Sequence, residues 1–167
     1  MEVTIAKPSE HHTEGIASVC AAGWRQTVEG KLSVAYQEQN VEFWYNHQRV
    51  RDDIKAGNYS HVALHNLEVV GVAGGGMTGP KTGEVFVLYV DESCRYQGIG
   101  RQLLEALTDE QIELGANEQW VSVQEDNQYG IPFYEARGFI FQEKRITETE
   151  TGEKQVSRRY LRKLRER

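Results

Sequence analysis

A strand–turn–helix–strand unit in the second half of the chain constrains its fold more than any other feature of the sequence. Residues 84–90 are almost entirely apolar, which is typical of a central strand buried on both faces. A turn with two glycines follows at 95–100, and an amphipathic helix then runs from about Gly98 to Leu114. The next strand covers Trp120 to Val123. This order predicts a right-handed crossover and a parallel pair of strands.

The remaining patterns predict further strands on both sides of this unit and helices near the amino end. Strands are predicted at residues 3–6, 61–64, 69–73, 139–147 and 155–164, and helices at about 9–28, 38–56 and 131–136. The glycines at 74–76 are predicted to end a strand, and residues 29–37 to form a loop or a short helical turn. The order predicts an α+β domain with a mixed sheet of about seven strands and about four helices.

Length, charge and cysteine content limit the classes of protein to consider. A chain of 167 residues with 39% hydrophobic residues suits one globular domain, and we take 1–167 as that domain. Its 25 acidic against 19 basic residues disfavour general nucleic-acid binding. The longest apolar run, Val85–Val90, is far too short to cross a membrane, and the amino-terminal residues do not form a signal peptide. Because Cys20 and Cys94 cannot make a disulfide framework, a cytoplasmic setting is expected.

The turn Arg95-Tyr96-Gln97-Gly98-Ile99-Gly100 has the composition of an anion-binding loop. Glycines at 98 and 100 remove Cβ atoms where the backbone turns into the helix, so amide groups can converge on an anion at the positive helix end. Arg95 and Arg101 add positive charge. The loop lacks the third glycine of a dinucleotide-binding fingerprint and the lysine of a P-loop. The geometry favours a phosphate or pyrophosphate, although this motif alone leaves a purely structural turn open.

A second motif follows the loop further along the chain, within residues 121–139. The strand at 121–123 leads to Asn127, and the short helix that follows carries Phe133-Tyr134-Glu135-Ala136-Arg137-Gly138-Phe139. In this order and spacing the two motifs resemble the GNAT superfamily, the acyl-CoA-dependent N-acetyltransferases, most closely over residues 60–142. The matching positions are Val90, Arg95, Gly98, Gly100, Asn127, Phe133, Tyr134, Gly138 and Phe139. The resemblance implies a GNAT-like twisted sheet, mostly antiparallel, whose central strands splay apart.

The resemblance also implies acetyl-CoA as the acyl-donor substrate, with no metal. Its pyrophosphate is expected at the loop formed by Arg95, Tyr96, Gln97, Gly98, Ile99, Gly100 and Arg101. Its pantetheine arm is expected beside Leu88, Tyr89 and Val90, with Asn127 in contact. Tyr134 matches the family tyrosine that contacts the donor and protonates the leaving thiolate. Such a role suits a phenol, which is protonated at neutral pH.

The sequence identifies less clearly the residue that accepts the proton of the amine. Some family members use a glutamate six residues before the motif valine, and Glu84 stands six residues before Val90. A carboxylate there could take the proton directly or through water, or it could be a charged residue at the start of a strand. His61 and His65 are lesser candidates. Cys94 is not expected to act as a nucleophile, because no paired histidine motif accompanies it.

In the family, the acceptor site is shaped by the segment between the first two helices and by the last hairpin. These correspond to about Trp24–Tyr36 and Thr147–Gln155, where Trp24, Arg25 and Tyr36 are candidates for the lining. Acidic residues of the hairpin would favour a cationic acceptor or would simply form a solvated face; they are Glu148, Glu150 and Glu153. Residues 158–167 hold six Lys or Arg, which we interpret as a final strand with a basic tail.

The prediction that follows is an N-acetyltransferase that moves an acetyl group from acetyl-CoA to a primary amine of a small molecule by direct transfer. The alternatives are acetylation of a protein N-terminus or lysine, and a catalytically silent acyl-CoA-binding module. A wide, open groove would favour a protein acceptor, and a closed pocket would favour a small amine. Neither nucleic acid nor a membrane is expected as a partner. A homodimer is compatible with the sequence, which does not define the oligomeric state.

Overall fold

The computed structural model describes residues 1–125, 127–149 and 152–165, and its seven strands form one sheet. The strands are β1 (Thr4–Ala6), β2 (His61–His65), β3 (Glu68–Gly79), β4 (Thr82–Val90), β5 (Glu118–Gln124), β6 (Ile140–Glu148) and β7 (Lys154–Lys163). The helices are α1 (Thr13–Val28), α2 (Val34–Tyr45), α3 (His47–Lys55), α4 (Ile99–Glu113) and α5 (Gly130–Ala136). Among the described residues no helix is long and apolar enough to cross a membrane.

The sheet has the order β1-β2-β3-β4-β5-β7-β6, and only the β4–β5 pair is parallel. This confirms the predicted mixed, mostly antiparallel α+β fold. Alternate residues of β2 and β3 face opposite layers. Val62 and Val72 pack against α1 and α3, whereas Ala63 and Ala73 pack against Ile99 of α4 and its neighbours. The helices α1 and α3 therefore cover one face of the sheet, and α4 covers the other.

A bulge in β4 separates the two central strands. Gly74 pairs with Val87 and Gly75 with Val85, so Phe86 is an extra residue in β4. Gly75 permits the tight approach, because a Cβ there would lie 2.3 Å from the carbonyl oxygen of Glu84. The parallel pairing of β4 with β5 runs from Thr82–Glu118 to Val85–Val121 and stops at the bulge. The predicted splay of the central strands is thus confirmed, and its position is set by Phe86.

The local predictions were wrong in two regions. In the first, the helix expected at 38–56 is two helices, because Asn46 ends α2 and its side-chain oxygen accepts a hydrogen bond of 2.8 Å from the backbone amide of Arg49 in α3. The loop expected at 29–37 ends early, since Ser33 caps α2, and the described residues form five helices, close to the number predicted.

The second error concerns the end of β3. This strand does not end at the glycines 74–76 but continues to Gly79, because β4 pairs with it throughout. Gly74 also allows the backbone of Asn58 to approach, since a Cβ would lie 2.2 Å from its carbonyl oxygen. The glycines therefore accommodate close packing inside a strand, and do not terminate it.

Candidate active site

A cleft of about 850 Å³ opens where β4 and β5 diverge. Its walls are β4 from Val85 to Val90, β5 from Val121 to Gln124, and parts of the segments at 94–101 and 127–137. The two sequence motifs, separated along the chain, therefore meet on opposite sides of one cavity. We call the part of the cleft that is lined by the segments at 94–101 and 127–137 the glycine-loop end. We call the part between α1 and the β6–β7 hairpin the hairpin end.

The glycine loop leads into α4 with backbone amides that no side chain caps. Gly98 is the N-cap residue of α4, with φ of 78°, and it has no side chain that could fill the space before the helix. Gly98, Ile99, Gly100 and Arg101 all line the cleft. Because an uncapped helix N-terminus carries free amide groups and a positive dipole end, this segment can bind an anion.

Arg95 lies across the glycine-loop end and contacts both of its walls. Its Nη2 donates to the side-chain oxygen of Gln26 in α1, and its guanidinium lies 4.3 Å from the ring centre of Tyr129, before α5. Gln26 in turn donates to Glu92 over 3.0 Å. Gln26 and Tyr129 were absent from the sequence prediction, because nothing in the local sequence places α1 beside this loop.

Tyr134 of α5 lies in the cleft and is nearly buried, with 7% of its surface exposed. Its ring packs edge-on against Phe133 and Phe139, at centroid distances of 5.2 and 5.3 Å. Burial raises the pKa of its phenol above the usual value, and the positive charge of Arg162 opposes this only in part. The hydroxyl therefore stays protonated at neutral pH and can serve as a proton donor.

Asn127 also lines the cleft, and its side-chain oxygen is used to start α5. It accepts hydrogen bonds from the backbone amides of Tyr129 and Gly130, at 3.1 and 2.8 Å. The geometry of this turn is therefore enough to explain why an asparagine occupies the position. Contact between Asn127 and a bound pantetheine stays a prediction.

Glu84 lies just outside the cleft lining, in a buried ion pair. Both oxygens of its carboxylate accept hydrogen bonds from Arg159 of β7, at 2.8 and 3.2 Å. Arg159 also donates to the hydroxyl of Ser122 over 2.9 Å, and its guanidinium lies 4.9 Å from the ring centre of Trp120. Since Ser122 lines the cleft, Glu84 is connected to it through Arg159. Local sequence places Arg159 in a basic carboxyl-terminal segment and contains no signal for this contact with Glu84.

The two histidines considered as bases lie away from the cleft lining. The ring of His61 contacts Ser60 at 2.9 Å and the carboxylate of Glu110 at 3.4 Å, and burial lowers its pKa. His65 contacts the backbone oxygen of Glu2 at 3.0 Å. Cys94 lines the cleft but is buried, and no histidine is among the described residues that line it.

The hairpin end of the cleft is lined by residues from both segments expected to shape an acceptor site. They are Trp24 and Thr27 of α1 and Thr147 and Gln155 of the hairpin, and Tyr45 of α2 and Ser157 of β7, outside the expected segments, line this end too. The two segments are joined, because the backbone amide of Ser33 donates to the carboxylate of Glu153 over 2.7 Å.

Other residues expected at this end lie elsewhere. Arg25 is exposed outside the lining, and Tyr36 packs behind Trp24, with ring centres 6.3 Å apart. Glu148 is exposed on β6, and Glu150 lies outside the described residues. Of the two expected acidic residues that the structure describes, Glu153 is thus connected to the opposite segment.

Comparisons with known proteins agree with this geometry. Residues 22–139 match the model of the acetyltransferase (GNAT) family. A segment of 55 residues is 40% identical to the [Ribosomal protein bS18]-alanine N-acetyltransferase of Escherichia coli (strain K12), and it spans 33% of this chain and 37% of that relative. The match thus covers little more than a third of the relative's length.

Solved structures extend the likeness to nearly the whole chain. The PaiA N-acetyltransferase of Thermoplasma acidophilum in complex with coenzyme A superposes with a TM-score of 0.76 at 20% identity, covering 96% of this chain and all of that one. The putative acetyltransferase yncA of Salmonella typhimurium, with its cofactor acetyl-CoA, gives 0.69 at 18% identity, covering 100% of this chain and 96% of that one. At these identities the superpositions establish the fold.

Proposed function

This chain belongs to the acetyltransferase (GNAT) family, and we propose that it transfers an acetyl group from acetyl-CoA directly to the primary amine of a small molecule. The observation that carries the choice of acceptor is the hydrogen bond between Ser33 and Glu153. It ties the segment that follows α1 to the β6–β7 hairpin, and residues of α1 and of this hairpin line the hairpin end. A site bridged in this way suits a compact acceptor better than a folded protein surface.

The donor fits the opposite, glycine-loop end. The pyrophosphate binds at the uncapped amides from Gly98 to Arg101, with Arg95 and Arg101 adding charge. The pantetheine arm follows β4 at Leu88, Tyr89 and Val90, where the edge that faces β5 has no strand partner beyond Val85. Backbone groups on such an edge need hydrogen-bond partners, which the amides of pantetheine provide. The thioester then lies near Tyr134, between the splayed strands.

The chemistry needs one bond formed, one broken and two proton transfers. The neutral amine nitrogen attacks the thioester carbonyl carbon, and the carbon–sulfur bond breaks as the tetrahedral intermediate collapses. Tyr134 donates its phenolic proton to the departing thiolate of coenzyme A. The proton lost by the amine passes through water to Glu84, because Glu84 lies outside the described cleft lining and is connected to it through Arg159 and Ser122. Proton exchange with solvent then restores both side chains.

A protein N-terminus is the second candidate acceptor, favoured by the segment shared with the Escherichia coli relative. One assay distinguishes the two. Thiol release from acetyl-CoA is measured with a panel of small primary amines and, in parallel, with hexapeptides that begin with alanine. The proposal expects turnover with at least one small amine at a higher kcat/KM than with any peptide. A preference for peptides would make the second candidate the better one, and no turnover with any acceptor would favour a catalytically silent acyl-CoA-binding module.

A further inference from the structure

Aromatic side chains form one wall of the hairpin end. Trp24, Tyr45 and Tyr89 belong to one packed cluster, and all three line the cleft. Gly23 lets Tyr89 lie against α1, since a Cβ there would be 2.4 Å from its ring. Phe86, the bulged residue of β4, lines the cleft too and is 55% exposed. We refer to these four side chains as the aromatic wall. Any acceptor that enters at this end meets them.

The hairpin end is also uncharged. Among the described residues that line the cleft, the charged ones are Arg95, Arg101 and Arg137, and they come from the two segments that form the glycine-loop end. The polar residues at the hairpin end and on β5 are neutral: Thr27, Ser122, Gln124, Thr147, Gln155 and Ser157. Burial raises the pKa of Tyr45 and of Tyr89, so both phenols stay neutral.

Two described carboxylates that are connected to the elements around this end already have partners. Glu84 is held by Arg159, and Glu153 accepts the amide of Ser33. A second ammonium group of an acceptor would therefore lose its hydration without gaining an unpaired carboxylate, which costs free energy. A carboxylate on the acceptor would also lose its hydration at a cost in free energy, because no cation lies among the described residues that line this end. An aromatic or aliphatic group, by contrast, gains by covering the wall.

We propose that the acceptor class is the small monoamine whose reacting amine is its only charged group and whose remainder is aromatic or apolar. This inference rests on the proposed function, because it assumes that the acceptor binds at the hairpin end. Before it loses its proton, the ammonium group is attracted to the faces of the aromatic wall. The apolar remainder lies against Trp24 and Phe86. Polyamines, aminoglycosides and free amino acids are excluded by their additional charges.

The test compares three amines that differ in charge: phenethylamine, phenylalanine, which adds a carboxylate to the same skeleton, and putrescine, which has a second amine and no ring. Thiol release gives kcat/KM, and calorimetry with the coenzyme A complex gives the affinity of each amine. We expect both kcat/KM and affinity to be at least about tenfold higher for phenethylamine than for the other two amines. The reason is that each of the others would carry one unpaired charge into a partly buried site, which costs free energy. Equal or better use of putrescine or phenylalanine overturns the inference.

The two measurements separate this inference from the proposed function. Selective binding of phenethylamine without turnover would retain the acceptor class and reject the activity. Turnover of small amines with no preference for phenethylamine would retain the activity and reject the class. Binding of none of the three amines to the complex would reject the class as well, whatever the result with peptides.

Two pairs of variants locate the selectivity in named residues. Gln155→Glu places a carboxylate at the hairpin end and should raise kcat/KM for putrescine relative to phenethylamine by about tenfold. Gln142→Glu is the control, because it adds the same charge on exposed β6 and should leave this ratio unchanged. Phe86→Ala should reduce the preference for phenethylamine, and Phe141→Ala, which removes a half-exposed ring outside the cleft, should leave it unchanged. An unchanged ratio in both Gln155→Glu and Phe86→Ala would place the acceptor elsewhere.

Discussion

Arg159 and Glu84, 75 residues apart in the chain, form a two-point ion pair that spans β5 and joins β4 to β7. The pair lies one residue before the point where β4 and β5 separate, since their pairing ends at Val85 and Val121. Ser122 shares a nitrogen of the same guanidinium. Three strands are therefore fastened together directly beside the cleft, on the face opposite α4.

The first prediction concerns the stability that this pair provides. Arg159→Met should lower the free energy of unfolding by about 3 kcal/mol, because it leaves the carboxylate of Glu84 buried and unpaired. Glu84→Gln should cost less, and the double variant should cost less than the sum of the two single variants. Urea unfolding measures all three. Strict additivity would mean that the two side chains do not stabilise each other.

The second prediction separates a base from a structural carboxylate at Glu84. Glu84→Gln keeps the shape of the side chain but cannot accept the proton of the amine. The variant should lose most activity at neutral pH and least at high pH, where the free amine is abundant. The measurement is kcat/KM against pH for both proteins with the best acceptor found. Parallel profiles would assign Glu84 to stabilising the sheet alone.

The third prediction tests Tyr134 as the general acid. Tyr134→Phe should lower kcat on the order of 10²-fold and leave the affinity for acetyl-CoA almost unchanged. Tyr160→Phe is the matched control, because Tyr160 is fully buried in the same cluster and its hydroxyl has no hydrogen-bond partner among the described residues. Its kcat should match that of the wild type. Wild-type kcat in the Tyr134 variant would remove this residue from the mechanism.

The fourth prediction concerns the anion site at Gly98. Gly98→Asp should abolish binding of acetyl-CoA, because it places a negative charge at the helix N-terminus that we propose as the pyrophosphate site. Gly98→Asn has the same shape without the charge and tolerates the left-handed backbone at φ of 78°. Calorimetry with both folded variants measures the difference. If the two bind equally, the pyrophosphate lies elsewhere.

The fifth prediction is a loss of stability in mild acid caused by His61. Burial, with Lys7 nearby, lowers the pKa of His61 in the folded state, and Glu110 opposes this only in part. The unfolded chain then binds more protons than the folded one below about pH 6.5, so stability falls as the pH drops through that value. In His61→Gln this part of the pH dependence should disappear from the free energy of unfolding. An identical dependence in both proteins would contradict the assignment.

The sequence by itself determined the elements whose signals are contiguous. The apolar run of β4, the two glycines and the stripe of α4 follow one another within 84–114, and the motif around Tyr134 lies within 127–139. Each depends on local periodicity and on glycine geometry, which a short window contains. The same local reasoning failed at Asn46 and at the glycines of β3. At Asn46 the side chain caps α3 and so divides the predicted helix in two. In β3, pairing with β4 outweighs the tendency of glycine to interrupt a strand.

Only the tertiary structure decided which distant side chains meet. The pairing of Arg159 with Glu84 depends on β7 entering between β5 and β6, in a register that sets Ser122 opposite Arg159. The contact of Ser33 with Glu153 and the uncharged lining beside Trp24 depend on how α1 and the hairpin pack across the cleft. Register and packing of this kind are set by contacts between distant segments, and a shift of one residue would turn each side chain to the opposite face. The chemistry of the donor could therefore be predicted from local motifs, whereas the character of the acceptor site could not.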